Sequence, residues 1–497
     1  MYHSEINSDI TIREFTLTAK NKGYKSFLLY IDGMVDSELI NNFILSPLML
    51  RTVNSNFDNN LKKSNLGISK INKFNLQQYI YSQLMPQNSL KLQKDFDKLI
   101  EGVNSGNCAL FVDTLDIAFD IDVKGFKQRS ISSPNNEVII NGPQEAFVEN
   151  LRTNTSILRR IINNENLCIE NLSVGKITKT AVSVCYMQNI TNSSLVGEIK
   201  YRLNNLKLDS VLSSGELEQL IEEDENSEIP TLLQTERPDK CAKYLLQGRV
   251  IILINGNPYA IIAPAILIDF LSSPEDSNLK PGFANFLKGL RIIAFFITLL
   301  APGVFIAVTS FHQELLPTEL LFSILASREN VPFPIIVELL LMELSFELIR
   351  ESGLRVPAPI GGTLGIVGAL ILGDAAVTAH LVSPILIIVV AITGLSSFAI
   401  PDFSFSFHLR VCRFLFVFLG YVAGFLGIGV GLYLYLSIIT GIQSFGVNFT
   451  TSLVHSPFSR SYSYFLRPTW KNEERNNFLF TKKKTSQSTV SKKWKGV

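Results

Sequence analysis

Apolar positions are spread unevenly along the 497 residues. Up to about residue 285 they come in short runs broken by polar and turn-forming residues; beyond it they merge into long uninterrupted stretches. The first part reads as alternating strands and helices. Residues 25–31 (KSFLLYI) predict a strand, Asp32-Gly33 a turn, and 36–50 a helix with an apolar face. More helix is expected over 76–101, then a hairpin from 109–112 and 117–123. A second unit starts after Ser130 with turns at Pro134 and at Asn141-Gly142-Pro143. Helix over 144–163, strands near 166–172 and 179–186, and helices near 194–205 and 214–223 follow, ahead of the acidic run 222–225. The stretch 249–263 is apolar enough to resemble a short membrane segment. Asn255-Gly256-Asn257-Pro258 at its centre is a hairpin signal, however, and its backbone groups would be unsatisfied in lipid, so it is read as a hairpin.

The second part has a different pattern. Residues 357–401 contain no Lys or Arg and a single acid, Asp374, and are rich in Gly and Ala. About 20 apolar residues make one crossing, so this run accommodates two, broken near His380 to Pro384. Gly361, Gly365 and Gly368, then Ala369 and Gly373, recur at three- to four-residue spacing, as helices that pack backbone to backbone require. Residues 292–311 and 414–440 are also uncharged; Pro302 predicts a kink in the first, and aromatic residues crowd both ends of the second. The expected architecture is an α/β cytosolic N-terminal region of two subdomains (1–128 and 129–285), then an all-α polytopic transmembrane domain (286–445) and a basic C-terminal tail (446–497). Four spans are predicted, at 290–311, 360–379, 383–400 and 412–440. Lys288 and Arg291 before the first, and ten Lys or Arg against Glu473 and Glu474 after Ser459, place both termini in the cytosol by the positive-inside rule. Arg410 and Arg413 then fall on the outer side, against that rule.

Composition removes several functions. The net charge is +1, which offers no basic field for nucleic acid. The N-terminus lacks the basic and apolar regions of a cleavable signal. The five cysteines are scattered without a CxxC pair, and the five histidines have no partner at ligand spacing, so neither a disulfide framework, a zinc site nor another metal or cofactor is expected. There is no Gly-rich phosphate loop and no nucleophile elbow; no catalytic residue is predicted, and the chain is not read as an enzyme.

Two places carry candidate chemistry. Residues 334–351 are too charged for a lipid-facing helix and too apolar for a free loop; on a helix Glu343, Glu347 and Arg350 form one polar stripe. Such a helix either lies in the membrane interface with Glu–Arg pairs along it or lines a wet cavity, crossing or re-entering the membrane. Asp374 is either a solvated helix end or, ringed about an axis by copies of itself, a cation-selecting group. Gly361, Gly365, Gly368, Gly373, Asp374, Glu343, Glu347 and Arg350 are therefore the pore or gating candidates.

Residues 332–377 (PFPIIVELLLMELSFELIRESGLRVPAPIGGTLGIVGALILGDAAV) resemble the hallmark region of the A subunit of spore germinant receptors, the GerA family. Supporting segments are GPQEAFVENLRTNTSILRRI (142–161), GRVIILINGNPYAIIAP (248–264), FHQELLPTELLFSILASRENVPFP (311–334) and SFGVNF (444–449). Asn141, Gln144, Ser133 and Asn330 depart from the family pattern. The resemblance implies a multi-pass subunit of a nutrient receptor in the inner membrane of a bacterial endospore. It also implies a transporter-like B subunit that binds the germinant, a lipoprotein C subunit, and self-association into a ligand-gated cation channel. A non-conducting scaffold and an ion or amino-acid carrier are the alternatives; the chain shows no internal repeat of the kind carriers have.

Overall fold

The computed structural model describes residues 7–19, 22–50, 76–87, 89–125, 134, 136–224, 227–355, 368, 370–451 and 479–482. Two five-stranded antiparallel sheets organise the N-terminal part. The first has the order β1 (Ile10–Ala19), β2 (Lys22–Ile31), β4 (Asn107–Val112), β5 (Ala118–Asp122), β3 (Leu90–Gln93). One face packs on helix α1 (Phe96–Asn104) through Leu99 and Val103, the other on the helical segments 37–50, close to the helix expected at 36–50, and 76–84, through Ile44, Leu48, Ile80 and Leu84. The helix expected over 76–101 is thus interrupted. It stops at Leu84, and the alternation Leu90-Lys91-Leu92-Gln93 forms an edge strand on β5 before Asp95 caps α1 by accepting from the Asp97 N–H.

The second sheet has the order β6 (Leu167–Val174), β7 (Thr180–Met187), β9 (Val250–Ile254), β10 (Ala260–Ala263), β8 (Leu233–Thr235). Helices α2 (Leu151–Ile161) and α5 (Pro238–Gln247) cover one face through Leu158, Cys241 and Leu245. Helices α3 (Ser193–Asn205) and α4 (Ser214–Ile221) cover the other through Ile199, Leu203 and Leu217. Because both faces are covered, β9 and β10 are buried along their whole length, which explains a run apolar enough to be confused with a membrane segment. They pair as the hairpin the sequence predicts, with Gly256 at φ +86° in its turn. Helix α2 begins only at Leu151, not at 144, because Asn150 accepts from the Thr153 N–H; the residues before it bond elsewhere, Phe147 N–H to the Glu236 carbonyl and Val148 N–H to the Asn154 side chain. The two sheets are joined by a buried ion pair in which Arg159 donates to both carboxylate oxygens of Asp9, at 2.7 and 2.9 Å.

Beyond residue 271 the described chain is helical almost throughout. Helix α6 (Pro281–Phe311) is 31 residues long and stays helical through Pro302; α7 (Thr318–Arg328), α8 (Ile335–Arg355), α9 (Pro384–Phe398) and α10 (Phe403–Gly441) follow. Of these, α6 and α10 are long and apolar enough to cross a membrane. The segment 412–440, expected as one rod, is instead divided. At Ala423 and Gly424 the backbone leaves helical geometry, with Gly424 at φ +56° and ψ −139°, and the chain reverses into two limbs, 403–422 and 425–441. Tyr435 on the second limb meets Phe416 on the first, at 6.2 Å between ring centroids. Both ends of this hairpin rest on the N-terminal region, where Phe405 packs on Phe270 and Ser444 donates to the Thr231 carbonyl; its tip lies against Phe311 and His312 at the other end of α6. Gly303 of α6 and Gly420 of the first limb touch backbone to backbone, and a Cβ on either would come within 2.6 Å of a carbonyl oxygen.

Candidate functional site

Among the described residues the densest buried charge in the helical region lies between α8 and the first limb of α10. The sequence places Glu343, Glu347 and Arg350 on one face of α8, and Arg410 and Arg413 one turn apart on α10. The structure brings these two rows together. Arg413 Nη2 donates to Glu347 Oε1 at 2.6 Å and lies 2.8 Å from Glu343 Oε2; Arg410 Nη1 donates to Glu347 Oε2 at 2.5 Å. The Glu343 contact is an ion pair without hydrogen-bond geometry, and both Glu343 and Arg413 are fully buried. Arg350 stands apart from the pairs. It donates to Ser397 Oγ of α9 at 3.2 Å and lies over the Phe398 ring.

The Glu–Arg pairs expected along one helix therefore run between helices. Arg410 and Arg413, which count against a simple span assignment when read alone, are the partners that α8 requires. Removing one member would strand a charge in an apolar surrounding, so the network fixes α8 on α10 in one register. Two carboxylates face two guanidinium groups here, so the network is balanced within itself.

Glu338, one and a half turns before Glu343, was not among the sequence candidates. It is fully buried and bridges two elements, accepting from Arg328 of α7 at 3.1 Å and from the Ser383 N–H at the start of α9, also at 3.1 Å. Its signal was its place in the same apolar run, ten residues after an arginine. His408 was likewise missed; it stacks on Tyr435 and lies within 3.5 Å of Cys412 Sγ, tying the two limbs of the hairpin.

The glycine and Asp374 candidates fall elsewhere. Gly361 and Gly365 lie outside the described residues. Gly368 is buried against Ile349 of α8, where a Cβ would come within 2.9 Å of that side chain, so close helix packing is present at this position. Gly373 faces open space. Asp374, in the wide helical turn Leu370–Ala375, is exposed, and its backbone carbonyl accepts from Thr378. The structure thus separates two sets: a closed ion network on α8 and α10, and the exposed acid Asp374. No group of three or more metal-binding side chains occurs among the described residues.

The family model described as Bacillus/Clostridium GerA spore germination protein matches residues 2–478. Spore germination protein KA of Bacillus subtilis is 38% identical over 484 residues, 97% of this chain and 85% of that protein. Spore germination protein A1 of the same organism is 39% identical over 349 residues, 70% of this chain and 72% of that protein. In the solved structure of the N-terminal domain of the A subunit of the Bacillus megaterium spore germinant receptor GerK3, the matched chain is 31% identical, covering 52% of this chain and 90% of that one, with a TM-score of 0.39. With the family pattern spanning nearly its whole length, the chain belongs to the GerA family of spore germination proteins.

Proposed function

We propose that the chain is the membrane subunit of a nutrient germinant receptor, seated in the inner membrane of the endospore with both termini cytosolic, and that copies of it form a ligand-gated cation channel. A transporter-like B subunit would bind the germinant and a lipoprotein C subunit would complete the receptor. The observation that carries the channel reading is the contrast between the two charge sets. The acids of α8 are consumed by arginines, whereas Asp374 is exposed in a run, 357–401, with no other charge. An acid left in the open in such a run needs water or an ion.

Helix directions support an even number of crossings, raised from four to six. Helix α6 leads away from the N-terminal region, α8 returns, the 368–378 segment leads out, α9 returns, and the two limbs of α10 go out and back. On this reading the span expected at 412–440 counts as two, and 334–351 counts as a crossing with Glu343 and Glu347 paired inside the bundle. The test is nutrient-triggered cation release from spores carrying Asp374→Asn or Asp374→Lys at matched protein level. A changed rate or ion preference supports the channel; unchanged release returns Asp374 to a solvated helix end. In that case the rigid α8–α10 clamp favours the second reading, a non-conducting scaffold that passes the signal on.

A further inference from the structure

Residues 479–482 lie on the second sheet's domain, far in sequence from everything they touch. Leu479 is 3% exposed and packs with Ile266 and Ile268, with Val447 at the edge of the cluster. The next residue, Phe480, has φ +46° and turns away, 79% exposed. Thr481 then lies on Gly248, where a Cβ would come within 2.5 Å of the threonine methyl. Gly248 caps α5 in the left-handed conformation, so this bare surface is required by the helix end as well as by the segment lying on it. Lys482 closes the contact: its N–H donates to the Ile190 carbonyl at 2.9 Å and its Nζ to the Gln188 carbonyl at 2.8 Å. One residue in a pocket, one outward, and a main-chain bond beyond are how a short peptide is held in a groove.

We propose that this segment is a docking peptide for the chain's own second domain, and that its seat bridges the entrance and exit of the helical region. Ile266 and Ile268 belong to the linker that leads into α6, and Val447 follows the end of α10, so Leu479 joins the two. Arg249 holds the same linker from beneath, donating to both oxygens of Asp269 at 2.6 and 3.0 Å. Docked, the peptide adds a brace to the junction between the N-terminal region and the helices; undocked, it leaves the junction to the linker's own contacts, the Arg249–Asp269 pair among them. Burying one leucine shifts an equilibrium by on the order of tenfold to a hundredfold, enough to favour the docked form and small enough to be reversed.

The experiment uses the full-length protein in detergent. In the wild type, hydrogen exchange should show the Lys482 amide protected about tenfold or more over an unstructured amide. Tryptic cleavage after Lys482 should accelerate on the order of tenfold to a hundredfold in Leu479→Asp and stay at the wild-type rate in Phe480→Asp. A labelled peptide of residues 477–484 should bind the Leu479→Asp protein saturably and the wild type far more weakly, because the wild type fills its own groove. An unprotected Lys482 amide in the wild type overturns the proposal, whatever the variants do. So does equal cleavage of wild type and Leu479→Asp.

Discussion

At the scale of single residues, Arg413 and Glu218 show the two ways a charge is held in this chain. Arg413 is fully buried and serves both Glu343 and Glu347. Replacing it with Gln leaves Glu343 without a counter-charge and Glu347 with Arg410 alone, and the expected cost is about 3–5 kcal/mol of stability. Glu343→Gln combined with Arg413→Gln should recover much of that loss, since a pair removed together leaves no stranded charge. Thermal unfolding in detergent of the two single variants and the double variant measures the coupling; additive losses would remove the clamp. Glu218 lies in the N-terminal region, where burial against Gln234 pushes its carboxyl up to about 8, even though the Gln234 amide donates to it and opposes the shift. The folded form therefore binds a proton that the unfolded form has released. Its contribution to stability is full below the ordinary glutamate range and is lost as pH rises from there through about 8. Glu218→Gln, which cannot ionise, should flatten that decline; an unchanged pH profile would mean that the carboxyl is hydrated and titrates normally.

At the scale of elements, the hairpin of α10 turns on Gly424. With φ at +56° and a would-be Cβ 2.8 Å from the His312 ring, Gly424→Ala meets both a disallowed backbone and a neighbour. Strain alone costs about 1–3 kcal/mol. Gly429→Ala, where a Cβ meets open space, should be neutral or stabilising by up to about 1 kcal/mol. Equal folded yields for the two variants would place the reversal elsewhere. This turn also shows what was legible in the sequence. Strands β2 and β4 to β7 and the hairpin at β9–β10 were read from alternation and turn residues, because those signals are local; β1, β3 and β8 were not. The reversal at Ala423-Gly424 was not, because the 414–440 run is apolar on both sides of it and glycine recurs throughout at helix-packing spacing. Likewise the stripe Glu343, Glu347 and Arg350 was visible on one helix, but its true partners lie some 60 residues later, and hydrophobic periodicity says nothing about which rows face each other. Asp374 was singled out because a lone acid in an apolar run is a local signal; Glu338 needed Arg328 and the Ser383 N–H to gain meaning.

At the scale of the whole molecule, a domain built on antiparallel sheets shares one buried apolar cluster with the helices that follow it. The described contacts converge on Phe270, which ends the linker from β10. Its ring lies 5.4 Å from Phe405 at the start of the α10 hairpin and 5.7 Å from Phe449 beyond the hairpin's end, while Phe405 stacks on Phe295 of α6 at 6.1 Å. One buried side chain from the N-terminal region thus touches the way in and the way out of α10, and through Phe405 it reaches α6. Asp276 and Arg291, paired at 2.7 and 2.9 Å, hold the first turns of α6 to the same linker. Phe270→Ala should open a cavity at this point, with a cost of about 3–5 kcal/mol set by how far the neighbours collapse. Since the first sheet has a separate core and the second keeps one on its α3–α4 face, the strands should retain their hydrogen-exchange protection while the start of α6 and the hairpin ends lose theirs. If the receptor reading holds, spores carrying this variant at normal protein level should also show slowed nutrient-triggered cation release, whereas Phe283→Ala, on the exposed side of α6, should leave release unchanged. Loss of protection spread evenly over both sheets would mean that the ring supports the fold in general. Protection lost only at the junction, together with slowed release, would make Phe270 the point through which the N-terminal region acts on the helices.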